Sequence, residues 1–182
     1  MAAIAATNLV AVAGTAFSLR LSDVIHQAAA PFTETKTLGG AGSKFQLTTP
    51  AVNNSAATTY VMWIWHVPST YVANAVITAK VSAHVDVSPN VSKQVDLQAY
   101  VLSDDGTISG ADLCGTAAQS ITTSNANYDF TVTPSSLVAG QRVLFIYSLA
   151  LDDTGGAGNK YGFITKVGGT VSLRGGFTGS GV

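Results

Sequence analysis

The sequence has very little charge. Asp, Glu, Lys and Arg make up 10% of its 182 residues, against about 25% in an ordinary soluble domain. No formally charged side chain falls before Arg20 or between Lys44 and Lys80. Nine basic and ten acidic residues leave a net charge of -1. Neutralising a nucleic-acid backbone takes clustered Lys and Arg, and these are scattered, so no nucleic-acid partner is expected. Cysteine is nearly absent too. Cys114 stands alone, which excludes an intramolecular disulfide and suits a compartment where none is needed. Beside Leu113 it reads as a small apolar residue.

Long hydrophobic runs are also missing. Met1 to Phe17 is rich in Ala and Val, but Thr7, Asn8, Gly14 and Thr15 interrupt it. It is too short to span a bilayer and lacks the basic residues that open a signal peptide. The expectation is therefore no membrane association, with synthesis in a cytoplasm.

The groups that catalysis and metal binding draw on are sparse. His26, His66 and His84 are the only histidines, and no His-x-x-x-His or Cys-x-x-Cys spacing occurs. No Gly-x-Ser-x-Gly elbow is present. The Gly-rich stretches 39–42 and 155–158 do not link a strand to a helix, as a phosphate loop would. The doublets Asp104-Asp105 and Asp152-Asp153 offer too few oxygens for the six to eight that calcium takes, and Asp-Gly is common turn chemistry. No enzyme activity, metal or cofactor is expected.

What the chain does have is alternation with a period of two. From Val76 to Ser88, Ile77, Ala79, Val81, Ala83, Val85 and Val87 share one face, opposite Thr78, Lys80, Ser82, His84, Asp86 and Ser88. Such alternation marks a half-buried strand. Val91 to Leu102 repeats it, with Asp96 and Gln98 facing out, and Pro89-Asn90 suggests a turn pairing the two runs. Tyr60 to Val67 sets Val61, Trp63, Trp65 and Val67 against Met62, Ile64 and His66, so both faces are apolar and the strand is expected to be covered on both sides. Further strands are expected at 45–48, 120–123, 128–133, 142–151 and 161–173, the last broken at Gly168-Gly169. One short helix is expected over 20–30, with Ser22 as its N-cap and Pro31 ending it.

About eight strands without crossover helices argue for an all-β fold, an antiparallel β-sandwich of jelly-roll type. The expected organisation is an N-terminal arm over 1–30, one sandwich domain over 31–174 and a flexible tail over 175–182. Within the arm, Ile4, Leu9, Val10, Val12 and Phe17 are apolar at a chain end, suited to lying across a neighbouring molecule. Tyr60, Trp63, Trp65 and Tyr71 form the densest aromatic cluster. They suit core packing and a subunit interface, or a glycan groove in which rings stack on sugars.

The segment Val132-Thr-Pro-Ser-Ser-Leu-Val-Ala-Gly-Gln-Arg-Val-Leu-Phe-Ile, followed by Leu149-Ala-Leu-Asp-Asp-Thr-Gly-Gly, a strand and Leu173-Arg-Gly, resembles the C-terminal half of small β-sandwich virion proteins of tailed bacteriophages. In that pattern an acidic residue stands where this chain has Gln141. The resemblance covers about fifty residues. It implies a non-enzymatic head decoration or cement protein. Such a protein would be a homo-oligomer, usually a trimer, bridging major capsid subunits on the virion surface. A surface this poor in charge is weakly defended against association, which agrees with burial in an assembly. The alternatives are a shell-forming coat protein, disfavoured by an arm without Lys or Arg, and a tail-fibre module that binds host glycans.

Overall fold

The computed structural model describes residues 11–19, 25–26, 33–36 and 45–174, with Phe17 the one side chain described before residue 46. The strands are β1 Ala11–Leu19, β2 Ile25–His26, β3 Thr33–Lys36, β4 Phe45–Thr48, β5 Ala56–His66, β6 Ile77–Val85, β7 Ser92–Leu102, β8 Ile108–Ser109, β9 Gln119–Ser120, β10 Ala126–Val132, β11 Arg142–Asp152 and β12 Gly162–Arg174. No helix occurs among the described residues. The strands form two antiparallel sheets facing each other, a β-sandwich of jelly-roll type. One sheet runs β10-β6-β12-β4-β3 with β1 also on β12; the other runs β2-β5-β11-β7-β8 with β9 also on β7.

Alternation decides which residues lie between the sheets. Ile77, Ala79, Val81, Ala83 and Val85 of β6 point inward, and so do Val61, Trp63 and Trp65 of β5 and Val143, Phe145, Tyr147, Leu149 and Leu151 of β11. A one-residue slip would turn every one of these outward, so the core itself fixes the register. In the second sheet β11 pairs β5 on one side and β7 on the other over its whole length.

Residues 77–85 and 92–102 are strands as expected, but they do not pair with each other. β6 lies between β10 and β12, whereas β7 lies beside β11. Each has an apolar face to bury, and the two faces meet across the sandwich instead of lying side by side. The Pro89-Asn90 connection therefore crosses from one sheet to the other. Asn90 holds it there, its backbone N–H donating to Asp153 Oδ1 at 2.9 Å and its side-chain amide to the Thr154 carbonyl at 2.9 Å.

β12 runs through Gly168-Gly169 without a break. Its register shift against β6 falls between Ile164 and Lys166. β4 pairs its start and β1 the rest of the same edge. Part of the expected arm is thus a strand of the sandwich. Val12 sits opposite Leu173 and Phe17 opposite Gly169. The Phe17 ring enters the core, stacking on Trp65 with centroids 5.1 Å apart. Ile4, Leu9 and Val10 lie outside the described residues, as does the tail from 175. Of the expected helix over 20–30, residues 25–26 instead pair in extended form with Met62 and Val61, and the remainder lies outside the described residues.

The corner before β11 shows what Gln141 does. Gly140 takes a φ of 86°, in the left-handed region that favours glycine. The Gln141 side-chain oxygen accepts from the Val138 N–H at 2.8 Å, and its backbone carbonyl accepts from Val67. An amide oxygen fills this acceptor role as a carboxylate would.

Phe17 reaches the core only because Gly169 has no side chain. A Cβ there would lie 2.4 Å from the Thr78 carbonyl oxygen and 2.8 Å from the Phe17 ring. Gly169→Ala should therefore destabilise the fold by about 1–3 kcal/mol, as overpacking does, read as a lower urea midpoint at unchanged slope.

Candidate functional site

The sequence offered four aromatic rings as a binding or interface cluster, and the structure separates them. Trp63 is 1% exposed, Trp65 8% and Tyr71 2%. Trp63 meets Tyr147 edge-on at 5.4 Å, and Trp65 meets Tyr71 edge-on at 6.1 Å. The Tyr71 hydroxyl donates to the Ala75 carbonyl at 2.7 Å. These three are core residues, and none presents a ring face to a ligand. Phe17 likewise packs inside its own domain.

Tyr60 alone of the four faces outward, and it leads to the candidate site. On the outer face of the second sheet the register lays side chains in rows. Tyr60, Ser148 and Asp96 form one row; Met62, Ile146 and Gln98 the next; Ile64, Leu144 and Tyr100 a third. Thr58, Ala150 and Gln94 extend the face in the other direction. The small side chains of Ser148 and Ala150 on the central strand leave a low floor. Tyr60 and Met62 rise on one side and Asp96, Gln98 and Gln94 on the other. Flanking strands lie about 9.6 Å apart across a central one, twice the interstrand spacing. A depression of about 210 Å³ lies among Tyr60, Met62, Gln98 and Ile146. Ile64 remains 36% exposed, so the described residues do not cover this strand on both faces.

The walls differ in chemistry. Tyr60 and Met62 supply apolar surface. Gln98 and Gln94 are exposed and each can both donate and accept hydrogen bonds. The Asp96 carboxylate accepts from the Leu97 backbone N–H at 2.9 Å. Apolar surface with a few polar groups on one rim is the usual make-up of a small-molecule site. Gln94, Ile146 and Ser148 were missed from the sequence alone because their neighbours come from strands far apart in the chain. The outward parity of Asp96 and Gln98 was the available signal.

The remaining chemical candidates resolve into structural roles. The Asp105 carboxylate is held below its ordinary range by hydrogen bonds from Thr107, and Asp152 likewise by Thr154; both carboxylates shape turns. Asp153 is buried and faces Lys160, whose Nζ lies 3.8 Å from Asp153 Oδ2 and donates to the carbonyls of Ala157 at 2.6 Å and Gly158 at 3.2 Å. The lysine ammonium is thus the countercharge of a buried carboxylate. No cluster of three or more ligating side chains suited to a metal occurs among the described residues. Burial pushes the Cys114 thiol up, away from the thiolate a nucleophile needs.

No family model matches the chain, and no curated protein matches it in sequence. Solved structures do match in fold. The CBM22-1 xylan-binding domain of Xyn10C from Paenibacillus barcinonensis is 13% identical at a TM-score of 0.50, over 92% of this chain and all of that domain. The CBM22-1–GH10 modules of Clostridium thermocellum Xyn10B match at the same TM-score with 9% identity, over 87% of this chain and 28% of that one. The family 11 carbohydrate-binding module of C. thermocellum Lic26A-Cel5E is 9% identical at 0.46, over 90% of this chain and 99% of that module. At these identities the likeness to the first two, at a TM-score of 0.50, shows the sandwich fold alone.

Burial of the core tyrosines sets an alkaline limit. The Tyr71 hydroxyl is pushed up to about 12 by burial, and that of Tyr147 is raised by burial and by the neighbouring Cys114. In the unfolded chain both ionise near their ordinary value of about 10. Their contribution to stability is therefore complete below about pH 10 and is lost as pH rises from there towards about 12. Urea midpoints should be insensitive to these groups at neutral pH and fall steadily across that alkaline window.

Proposed function

We propose that this protein is a non-catalytic carbohydrate-binding module that holds a glycan chain along β11, on the outer face of the second sheet. The observation that carries this reading is the asymmetric groove: Tyr60 and Met62 on one wall, Gln98 on the other and Ile146 between them, with Asp96, Gln94, Ser148 and Ala150 extending the same face. A sugar ring has an apolar face and a rim of hydroxyls, and the groove offers the complement of each. The strands that form it pair without interruption, so the site sits on a rigid platform and binding incurs little ordering cost.

A second reading, in which the protein coats or decorates a virion as a homo-oligomer against major capsid subunits, is favoured by a different observation. Large aliphatic side chains stand exposed at Ile64, Val76, Val87, Val91, Ile108 and Val138, on a chain with little charge to oppose association. Sedimentation separates the two readings. A concentration-independent monomer that binds glycan supports the first, and a stable trimer that binds none supports the second.

The glycan reading is tested with an array of plant, bacterial and host-surface glycans, followed by isothermal titration with the best ligand. Tyr60→Ala and Gln98→Ala are each expected to weaken binding by roughly tenfold, the equivalent of about 1.4 kcal/mol. Ile108→Ala, exposed and remote from the groove, should bind as wild type does. The reading fails if no glycan is retained, or if neither groove variant alters retention.

A further inference from the structure

The first sheet carries a second groove of different chemistry. Its outer face has Asn127, Ser82 and Lys166 in one row, and Asp129, Lys80 and Gly168 in the next. Thr131, Thr78 and Thr170 form the row after that. Gly168 places no side chain where its neighbours have one, and the sheet is low there. The register shift just before Lys166 sets that lysine at the rim of the depression. A cavity of about 150 Å³ results, lined by Lys80, Ser82, Asn127, Lys166, Gly168 and Thr170 among others.

Two features give the groove a preference. In a chain with only nine basic residues, two line this one cavity. Lys80 is balanced by Asp129 at 3.0 Å, both well exposed. Lys166 is exposed and has no ion-pair partner among the described residues. Among the described residues, the cavity therefore carries one uncompensated positive charge. The groups around it are hydroxyls and an amide: Thr170, Ser82 and Asn127. Ser82 donates to the Asn127 side-chain oxygen, which turns the Asn127 NH₂, a donor, away from that bond. A cation ringed by hydroxyls and an amide suits a ring that bears both hydroxyls and one anionic group.

We propose that this groove is a second binding site, selective for an acidic monosaccharide unit, with the sugar carboxylate on Lys166 and its hydroxyls on Thr170 and Asn127. Lys80 stays with Asp129 as the fixed wall of the site. The site rests on residues of β6, β10 and β12 and shares none with the groove along β11, so it stands whether or not the first groove takes a glycan.

The test is a titration of the full chain with D-glucuronic acid, D-glucose and inorganic sulfate, followed by amide chemical-shift changes. Glucuronic acid should shift resonances of residues 80–82, 127 and 166–170 saturably, glucose should do so at least tenfold more weakly, and added salt should weaken the glucuronic acid response. Lys166→Gln removes the charge from an exposed position, and should lower glucuronic acid affinity about tenfold. Thr170→Val keeps the shape and strand propensity while removing the hydroxyl, and should lower it severalfold without altering the response to sulfate. Tyr60→Ala should leave all of this unchanged, which keeps the two grooves distinguishable. Glucuronic acid binding no better than glucose, binding unaffected by Lys166→Gln, or equal binding of sulfate and glucuronic acid with no effect of Thr170→Val would each overturn the proposal.

Discussion

The aromatic layer between the sheets is the constraint on which the rest of the structure depends. Trp63, Trp65, Phe145 and Tyr147 come from two paired strands, Tyr71 from the segment after β5, and Phe17 from the first strand. Their rings touch in a continuous series, Phe17 on Trp65 and Phe145, and Tyr147 on Trp63 and Phe145. Large rings in a close-packed interior tolerate little rearrangement. This layer therefore holds β5 and β11 in one register, and the register in turn decides which residues stand on the outer face. Tyr60, Met62 and Ile146 are outside because Val61, Trp63 and Phe145 are inside.

That dependence explains how much was legible in the sequence. A period of two is a local property, and the strands at 45–48, 77–85, 92–102, 126–132 and 142–152 were all visible in it. So were the inward sets of 77–85 and 92–102, because apolar parity needs no knowledge of partners. Partner choice was not visible. Residues 77–85 and 92–102 look like a hairpin because they are adjacent and joined by turn residues, yet they belong to opposite sheets. The choice depends on burying two apolar faces at once, and no local pattern records it.

The candidate sites show the same division. The densest aromatic cluster drew attention as a ligand surface, but density of rings in a strand with inward parity signals a core. Trp63 and Trp65 share the parity of Val61 and Val67, and Tyr60 has the opposite one. The groove residues with polar side chains, Gln94, Asp96 and Gln98, alternate unremarkably along their strand. They acquire meaning only beside Ser148 and Tyr60, which lie roughly fifty and forty residues away in sequence. On the other sheet Gly168 looked like a strand break. In the fold it is the absent side chain that makes a cavity.

Lys160 carries a consequence of its own. Its ammonium lies against a buried carboxylate and two loop carbonyls, where many proteins would recruit an ion from the medium. Here the ion is covalently attached to the chain. The loop between β11 and β12, and through Asn90 the crossing between sheets, is shaped by a charge that dilution cannot remove and chelators cannot extract. The buried Asp153 carboxylate at this end therefore has its countercharge within the same loop, on a side chain that moves with it.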